Sequence, residues 1–394
     1  MAISKIPIGP FHPLQEEPEF FYLTVDGETV VDIEVNIGYN HRSIEKVSEM
    51  KNFDQATFVI ERICGICSTS HPYAYTRAVE DIAQVEVPER AKYIRTIVAE
   101  GERVHSHLLW LGLAGHFLGY NTVWMWVWKL REEILDVMEI LTGNRNHYAM
   151  FKPGGIRRDI NPDDIPLVNK KIDSIVPTLD KLKKAILDDP VLHARLKGIG
   201  ILTREDAVSY CALGPTSRAS GIAKDVRKDF HYGAYDQVDW EMIVTQNGDV
   251  FDKAVVRILE LYECIKIIKE CLLNLPGGEI DLNLKSIPPG EGIGNHEAPR
   301  GETFHYVKSD GTNSPARHKV RAPTYMNLPT CNATVVGETV ADAAIILAAI
   351  DPCYCCTERM GARTTEGKKI YTGQDLIKLS QQKTQTLKKK MGIK

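Results

Sequence analysis

Several features common in larger chains are missing from these 394 residues, and each absence narrows what the protein can be. The opening stretch, Met1-Ala-Ile-Ser-Lys-Ile-Pro-Ile-Gly-Pro, has no apolar core and no cleavage signal, so the chain reads as cytoplasmic. Charge of one sign is scarce: a formal net of −4 argues against nucleic acid or an acidic membrane surface as the main partner. There is no internal repeat and no low-complexity linker. Long apolar runs are nearly absent as well. The one run long enough to cross a bilayer, Leu108 to Trp128, contains four tryptophans but is interrupted by His116, Gly119, Asn121 and Thr122. Gly119, Tyr120, Asn121 and Thr122 form a turn signal, so the run reads as two buried helices meeting at a bend.

What is present suits a large globular core, with 43% hydrophobic and 25% charged residues. Residues 1–50 read as a small β-rich lobe, with two strands from Phe20 onward around an Asp26-Gly27 turn. Apolar spacing of three and four predicts helices over Phe53–Ile60, Pro72–Val85, Val87–Leu111 and Thr122–Leu141. Two more amphipathic helices fall at 162–190 and 249–275, and a last one at Gly337–Ile350. The stretch 277–332 reads as loops and short strands. The fold class is therefore mainly α with flanking α+β, one helical core over 51–359 rather than separate domains. From Met360 onward nine Lys/Arg face two Asp/Glu, a net of +7 that leaves the first 359 residues at −11. That basic extension, 360–394, is unlike the rest.

Cysteine carries the chemistry. Cys64 and Cys67 are spaced to chelate one metal at the entry to a helix, where the helix N-terminus lowers thiol pKa, and Arg62 adds positive charge nearby. Near the other end, Cys353 and Cys356 repeat the C-x-x-C spacing. A zinc ribbon separates its pairs by roughly 15–20 residues, whereas 286 positions separate Cys67 from Cys353. Distant pairs closing on one another suit a deeply buried site joining both ends of the fold. Soft thiolates accept zinc, copper(I), an iron–sulfur cluster or nickel, and spacing alone does not choose.

The pattern R-x-C-G-x-C-x-x-x-H (Arg62 to His71) with D-P-C-x-x-C (Asp351 to Cys356) resembles the ligand motifs of nickel–iron hydrogenase large subunits. Further blocks are similar to the membrane-bound members: Gly9 to Pro13, His105 to Gly112, Gly154 to Asp159, Gly214 to Gly221, Tyr235 to Asp239 and Glu297 to Glu302. The resemblance covers roughly residues 5–359. Arginine at 359, where periplasmic uptake enzymes carry histidine, points to the energy-converting group. The alternative is the related quinone-site large subunit of respiratory complex I, a metal-free scaffold that has lost the thiolates. Both pairs are kept here.

The resemblance implies a nickel–iron hydrogenase large-subunit fold in which Cys64 and Cys353 are terminal nickel ligands. Cys67 and Cys356 would bridge nickel to an iron carrying CO and two cyanide ligands. It implies two alternatives for the base that takes a proton from H2, the Cys353 thiolate or the guanidine of Arg300, with Arg300 as electrostatic positioner the competing role. Glu17 matches the glutamate that starts the proton exit, and Glu45 a second acid near the small-subunit face. Asp351 resembles an aspartate beside the site, and His71 a hydrogen-bond partner of a bridging thiolate. The implied partners are a small subunit carrying 4Fe–4S clusters, ferredoxin, integral membrane ion-translocating subunits, nickel-insertion proteins and a maturation endopeptidase. The complex would attach to the inner face of the membrane. The endopeptidase would cut between Arg359 and Met360, releasing 35 residues; a permanent basic surface helix over Asp375–Lys390 is the other reading of that tail.

Other features take ordinary readings. Gly290 to Asn295 looks superficially like a dinucleotide loop but follows two prolines, and a turn is expected. Cys211, Cys264, Cys271 and Cys331 are expected to be buried small hydrophobes. Cys355 sits at the wrong offset to ligate and has no assigned role. His105 and His107, two apart on a helix, cannot share a metal face.

Overall fold

The computed structural model describes residues 3–13, 15–357, 362–364, 366–367 and 370–393. The N-terminal lobe is an antiparallel sheet in the order β1 (Ile3–Ile8), β2 (Phe20–Asp26), β3 (Thr29–Asn36). Phe21, Leu23 and Val25 alternate inward along β2, and with Val30 and Ile33 of β3 they join the main core. β1 goes beyond the two strands that the pattern predicts. It is an edge strand with only Ile8 buried, so it carries no hydrophobic alternation to read.

Seven helices follow: α1 (Ile44–Ser48), α2 (Phe53–Glu61), α3 (Ser70–Ala83), α4 (Glu89–Phe117), α5 (Asn121–Thr142), α6 (Ile165–Asp188) and α7 (Val250–Leu273), with short helical turns between α6 and α7. Two of them, α2 and α7, start with side-chain caps. The Asn52 side chain accepts the Gln55 N–H at 2.7 Å, and Asp249 accepts that of Asp252 at 2.7 Å. α4 ends and α5 begins around Gly119, whose φ of +85° only glycine adopts readily, so the Leu108–Trp128 run is two helices with a bend. Among the described residues no helix is long and apolar enough to cross a membrane.

α4 is the central helix, packed by α5 and α7 and buried around almost its whole circumference. Its charged residues survive burial by pairing. Arg103 contacts Glu100 at 3.2 Å, and His107 Nε2 lies 2.8 Å from Glu260 of α7. Arg218 joins Glu260 at 2.6 Å to Glu297 at 2.9 Å. Removing one member of such a network strands a buried charge, at a cost of about 3–5 kcal/mol.

The stretch 277–332 holds strands, as expected, but two of them are longer than the short ones the pattern suggests. β4 (Gly290–Ala298) and β5 (Gly301–Ser309) make a long antiparallel hairpin, and β6 (Arg317–Arg321) pairs with β5. Gly290 to Asn295 is thus a strand rather than a turn. Its glycines serve a close approach, because α3 lies directly on β4: a Cβ on Gly292 or Gly294 would land on the carbonyl oxygen of Ala78 or Ala74. The chain then enters α8 (Val340–Ala349), where the Trp110 indole N–H donates to the Ala348 carbonyl at 2.7 Å, and reaches Asp351.

Cys264, Cys271 and Cys331 are buried, but Cys211 is exposed. It follows the short helix Arg204–Ser209 in a left-handed conformation (φ 54°), at the point where the chain leaves that helix. Arg359 and Met360 lie outside the described residues. Beyond them α9 (Gly373–Met391) opens with reciprocal Thr372–Asp375 hydrogen bonds and faces solvent over most of its length.

Candidate metal centre

Each cysteine pair is shaped by a local turn. After α2, the Cys64 sulfur accepts the main-chain N–H groups of Ile66 (3.3 Å) and Cys67 (3.2 Å), curling the chain around it. α3 then starts at Ser70, where the Glu102 carboxyl from α4 receives the Ser70 N–H at 3.1 Å and its hydroxyl at 2.5 Å, together with the Thr69 N–H. On the other side, Asp351 takes a left-handed conformation (φ 55°), and the Cys353 N–H donates to Thr324 Oγ1 at 3.1 Å. A 3-10 turn over Tyr354–Cys356 follows, with three residues per turn, bringing Cys356 back over Cys353.

The two ends of the chain meet. The Cys64 and Cys353 sulfurs are 2.8 Å apart, and Cys353 lies 3.2 Å from Cys356 and 3.6 Å from Cys355. The sulfurs of Cys64, Cys353, Cys355 and Cys356 all fall within 4.8 Å of one another. Cys355, set aside by its offset, is therefore one of the four, because the tight 3-10 turn gathers all three neighbouring thiols. Cys67 is outside that group of four but interacts with Cys353, Cys356 and Cys64. All five are buried, inside an apolar shell that includes Ile63, Tyr75, Val307 and Val320. Burial opposes ionisation of Cys64, yet the thiols of Cys353, Cys355, Cys356 and Cys67 around it bring its pKa well below the ordinary range. Cys356 is pushed well above that range, chiefly by burial, and Cys67 chiefly by Cys353.

Arg300 supplies the positive charge. It occupies the buried β4–β5 hairpin tip, with its carbonyl held by Asn327 Nδ2 at 3.3 Å. Its Nη1 points at the Cys67 sulfur (3.6 Å) and at Ser106 Oγ (3.1 Å). Its Nε donates to the Asp351 carbonyl at 2.6 Å and its Nη2 to Asp351 Oδ1 at 2.5 Å. Burial works against the charge, but Asp351 and then Cys67 hold the guanidinium protonated well above the usual arginine range. A second buried guanidinium, Arg257, lies 3.8 Å from the other Asp351 oxygen.

The remaining residues singled out in the sequence divide. Glu17 is brought in by the β1–β2 loop and accepts the Cys355 N–H at 2.6 Å; burial, and then Cys64, push its carboxyl up. His71 Nε2 lies 3.4 Å from the Cys356 sulfur. Arg62 turns away: it is exposed and pairs with Glu61 at 2.7 Å, because it ends α2 on the solvent side. Glu45 stands apart from the thiols, receiving the Val320 N–H (3.1 Å) and Lys319 (2.8 Å) at the junction of α1 with β6. His105 and His107 contact different partners, Arg131 and Glu260. Ser106, Thr324, Arg257, His305 and His318 are additions that sequence reasoning missed. Only Ser106 sat in a block already singled out, between two histidines of α4.

Five buried thiols beside the Arg300 guanidinium, with carboxylates only at the margin, offer donors suited to soft transition metals, and nickel with iron fits them. Such a centre, closed between the two ends of a helical fold, is a candidate metal–thiolate site. Comparison with known proteins narrows the class. The description "Nickel-dependent hydrogenase" matches residues 42–113, and "Respiratory-chain NADH dehydrogenase, 49 Kd subunit" matches 118–287 and 282–359. Membrane-bound hydrogenase subunit alpha of Pyrococcus furiosus is 42% identical over 97% of this chain and 94% of its own. The carbon monoxide-induced hydrogenase of Rhodospirillum rubrum is 39% identical over 91% of this chain and 100% of its own. A chain of the membrane-bound sulfane sulfur reductase, an archaeal respiratory membrane complex, matches with a TM-score of 0.86 and 32% identity, over 91% of this chain and 98% of that one. The chain belongs to the family that unites membrane-bound nickel–iron hydrogenase large subunits with the 49 kDa subunit of respiratory NADH dehydrogenase.

Proposed function

We propose that this chain is the catalytic subunit of an energy-converting nickel–iron hydrogenase that interconverts H2 with two protons and two electrons. The observation that carries the reading is the meeting of Cys64 and Cys353 with Cys356, and of Cys67 with all three, beside the Arg300 guanidinium. In this reading Cys64, Cys67, Cys353 and Cys356 would hold nickel and iron, and the iron would carry CO and cyanide. When bound, the metals supply the binding and polarisation of H2.

The side chains do the rest. Arg300, kept charged by Asp351, positions and stabilises charge at the centre and leaves the Cys353 sulfur as the proton acceptor. Glu17, one hydrogen bond from the Cys355 main chain, carries protons outward. The apolar shell excludes water from the sulfurs. Electrons leave through an iron–sulfur small subunit to and from ferredoxin, and membrane subunits couple the reaction to ion movement at the cytoplasmic face. Maturation cuts between Arg359 and Met360. The mass of the large subunit in the active complex tests that step, since a chain ending at Lys394 with full activity refutes it.

The match of residues 118–287 and 282–359 to the 49 kDa subunit favours one second reading, a metal-free quinone-module or scaffold subunit. Metal analysis of the purified complex separates the two. The hydrogenase reading expects one nickel and one iron per chain with infrared bands of CO and cyanide; an H2-active preparation free of nickel overturns it.

A further inference from the structure

Behind the thiol cluster runs a line of buried side chains that the reading above does not use. His71 Nε2 faces the Cys356 sulfur at 3.4 Å, and His71 Nδ1 lies 3.1 Å from His305 Nε2. His305 Nδ1 lies 2.9 Å from His318 Nε2, and His318 Nδ1 lies 2.7 Å from Ser48 Oγ. The four come from α3, β5, β6 and α1, and all are at most 1% exposed. Every imidazole uses both ring nitrogens along the line, one toward the cysteines and one toward the surface. Beyond Ser48 the line ends at α1, where the carboxylates of Glu45 and Glu49 act on the His318 ring.

We propose that His71, His305, His318 and Ser48 form a proton relay between the Cys356 sulfur and the surface at Glu45 and Glu49, separate from the route through Glu17. The use of this relay in H2 chemistry rests on the function proposed above; its existence as a coupled chain does not.

The direction of the hydrogen bonds follows from one end. Ser48 donates its hydroxyl proton to the Glu45 carbonyl at 2.7 Å, so its oxygen accepts from His318 Nδ1–H. A neutral imidazole has one N–H, and burial lowers the pKa of His305 and, to about 4, that of His318. His318 Nε2 must then accept from His305 Nδ1–H, and His305 Nε2 from His71 Nδ1–H. His71 Nε2 is left with its lone pair toward Cys356. A proton arriving there binds Nε2; His71 Nδ1–H passes its proton to His305 Nε2, His305 Nδ1–H to His318 Nε2, and His318 Nδ1–H to Ser48. Ser48 then turns its hydroxyl away from the Glu45 carbonyl and gives its own proton to the carboxylate of Glu45 or Glu49, which returns it to solvent. One proton enters and one leaves, no electron moves, and every ring ends in the opposite tautomer. Reversal resets the line.

The coupling makes a sharp test. Ser48→Ala removes the only acceptor on this line for His318 Nδ1–H, so His318 should change to the Nε2–H form and force His305 and then His71 to follow. Nitrogen-15 solid-state NMR of the histidine-labelled complex reads each ring. The expected result is Nδ1–H at all three in the metal-free wild type and Nε2–H at all three in Ser48→Ala. An unchanged His71 in that variant overturns the proposal, whatever the hydrogenase activity of the preparation. The second arm uses His305→Gln, which keeps one donor and one acceptor but cannot exchange a proton between them. With nickel content and melting temperature unchanged, the exchange of H2 with deuterium from D2O should slow by roughly tenfold or more, with an altered solvent isotope effect. An unaltered rate and isotope effect in a fully loaded variant refute the relay. Loss of all H2 exchange in wild type alongside a coupled tautomer change would refute the hydrogenase reading alone.

Discussion

Arg300 grips Asp351 with two separate bonds, Nη2 to Oδ1 at 2.5 Å and Nε to the main-chain oxygen at 2.6 Å. The hairpin tip and the segment leading to Cys353 are thereby joined by a planar, two-pronged contact that only a guanidinium makes. The same contact fixes Nη1 beside the Cys67 sulfur.

Arg300→Lys keeps a positive charge but loses this geometry. H2 turnover should fall by roughly 10²- to 10³-fold, while nickel and iron analysis should show the metals retained. Turnover near that of the wild type would mean that charge alone suffices and that the fork to Asp351 is incidental.

The crowding of Cys355 among the sulfurs gives a second prediction. Serine at Cys64, Cys67, Cys353 or Cys356 should each abolish nickel retention, because a hydroxyl is a poor substitute for a soft thiolate. Cys355→Ser should keep both metals and most activity, since it is the Cys355 main-chain N–H that holds Glu17, and a side-chain change leaves it in place. A nickel-free Cys355→Ser preparation would move Cys355 into the ligand set.

Glu17→Gln still offers an oxygen to the Cys355 N–H but cannot release a proton. Hydrogen evolution should drop by roughly 10²-fold or more, with unchanged metal content and infrared bands. If evolution persists at the normal rate, protons reach the site by another path, and the double variant Glu17→Gln/His305→Gln shows whether the histidine line is that path.

Gly294→Ala tests how α3 is seated. The added methyl would meet the Ala74 carbonyl, pushing α3 off β4. Denaturant unfolding should show a loss on the order of 1–3 kcal/mol, and His71, on the first turn of α3, should lose its alignment with His305. Stability equal to wild type would show that the helix can ride higher on the strand without penalty.

Much of this molecule was readable from local pattern. Apolar spacing located α2 through α7 to within a few residues, and in α4 to the start but not the last turn and a half. Gly119 marked the bend between α4 and α5. Each C-x-x-C pair announced a turn that gathers its thiols, and the two motifs together announced that the ends of the chain meet. Where local pattern misled, the cause was a contact across the fold. Gly292 and Gly294 read as turn residues because nothing in the sequence shows a helix pressed against them. Arg62 read as a neighbour of the thiols, yet the end of α2 points it outward.

By its sequence alone, then, this chain specified soft thiolate donors, their pairing by short turns, and the helical periods that bury them. Tertiary structure decided which groups face those donors. Arg300 reaches Cys67 across 233 positions, and Ser48 reaches His318 across 270. Periodicity records which face of an element is buried, but the group lying opposite depends on how separate elements pack. The seating of α3 on the β4–β5 hairpin is what lines up His71 with His305, and no residue in either segment carries that information by itself.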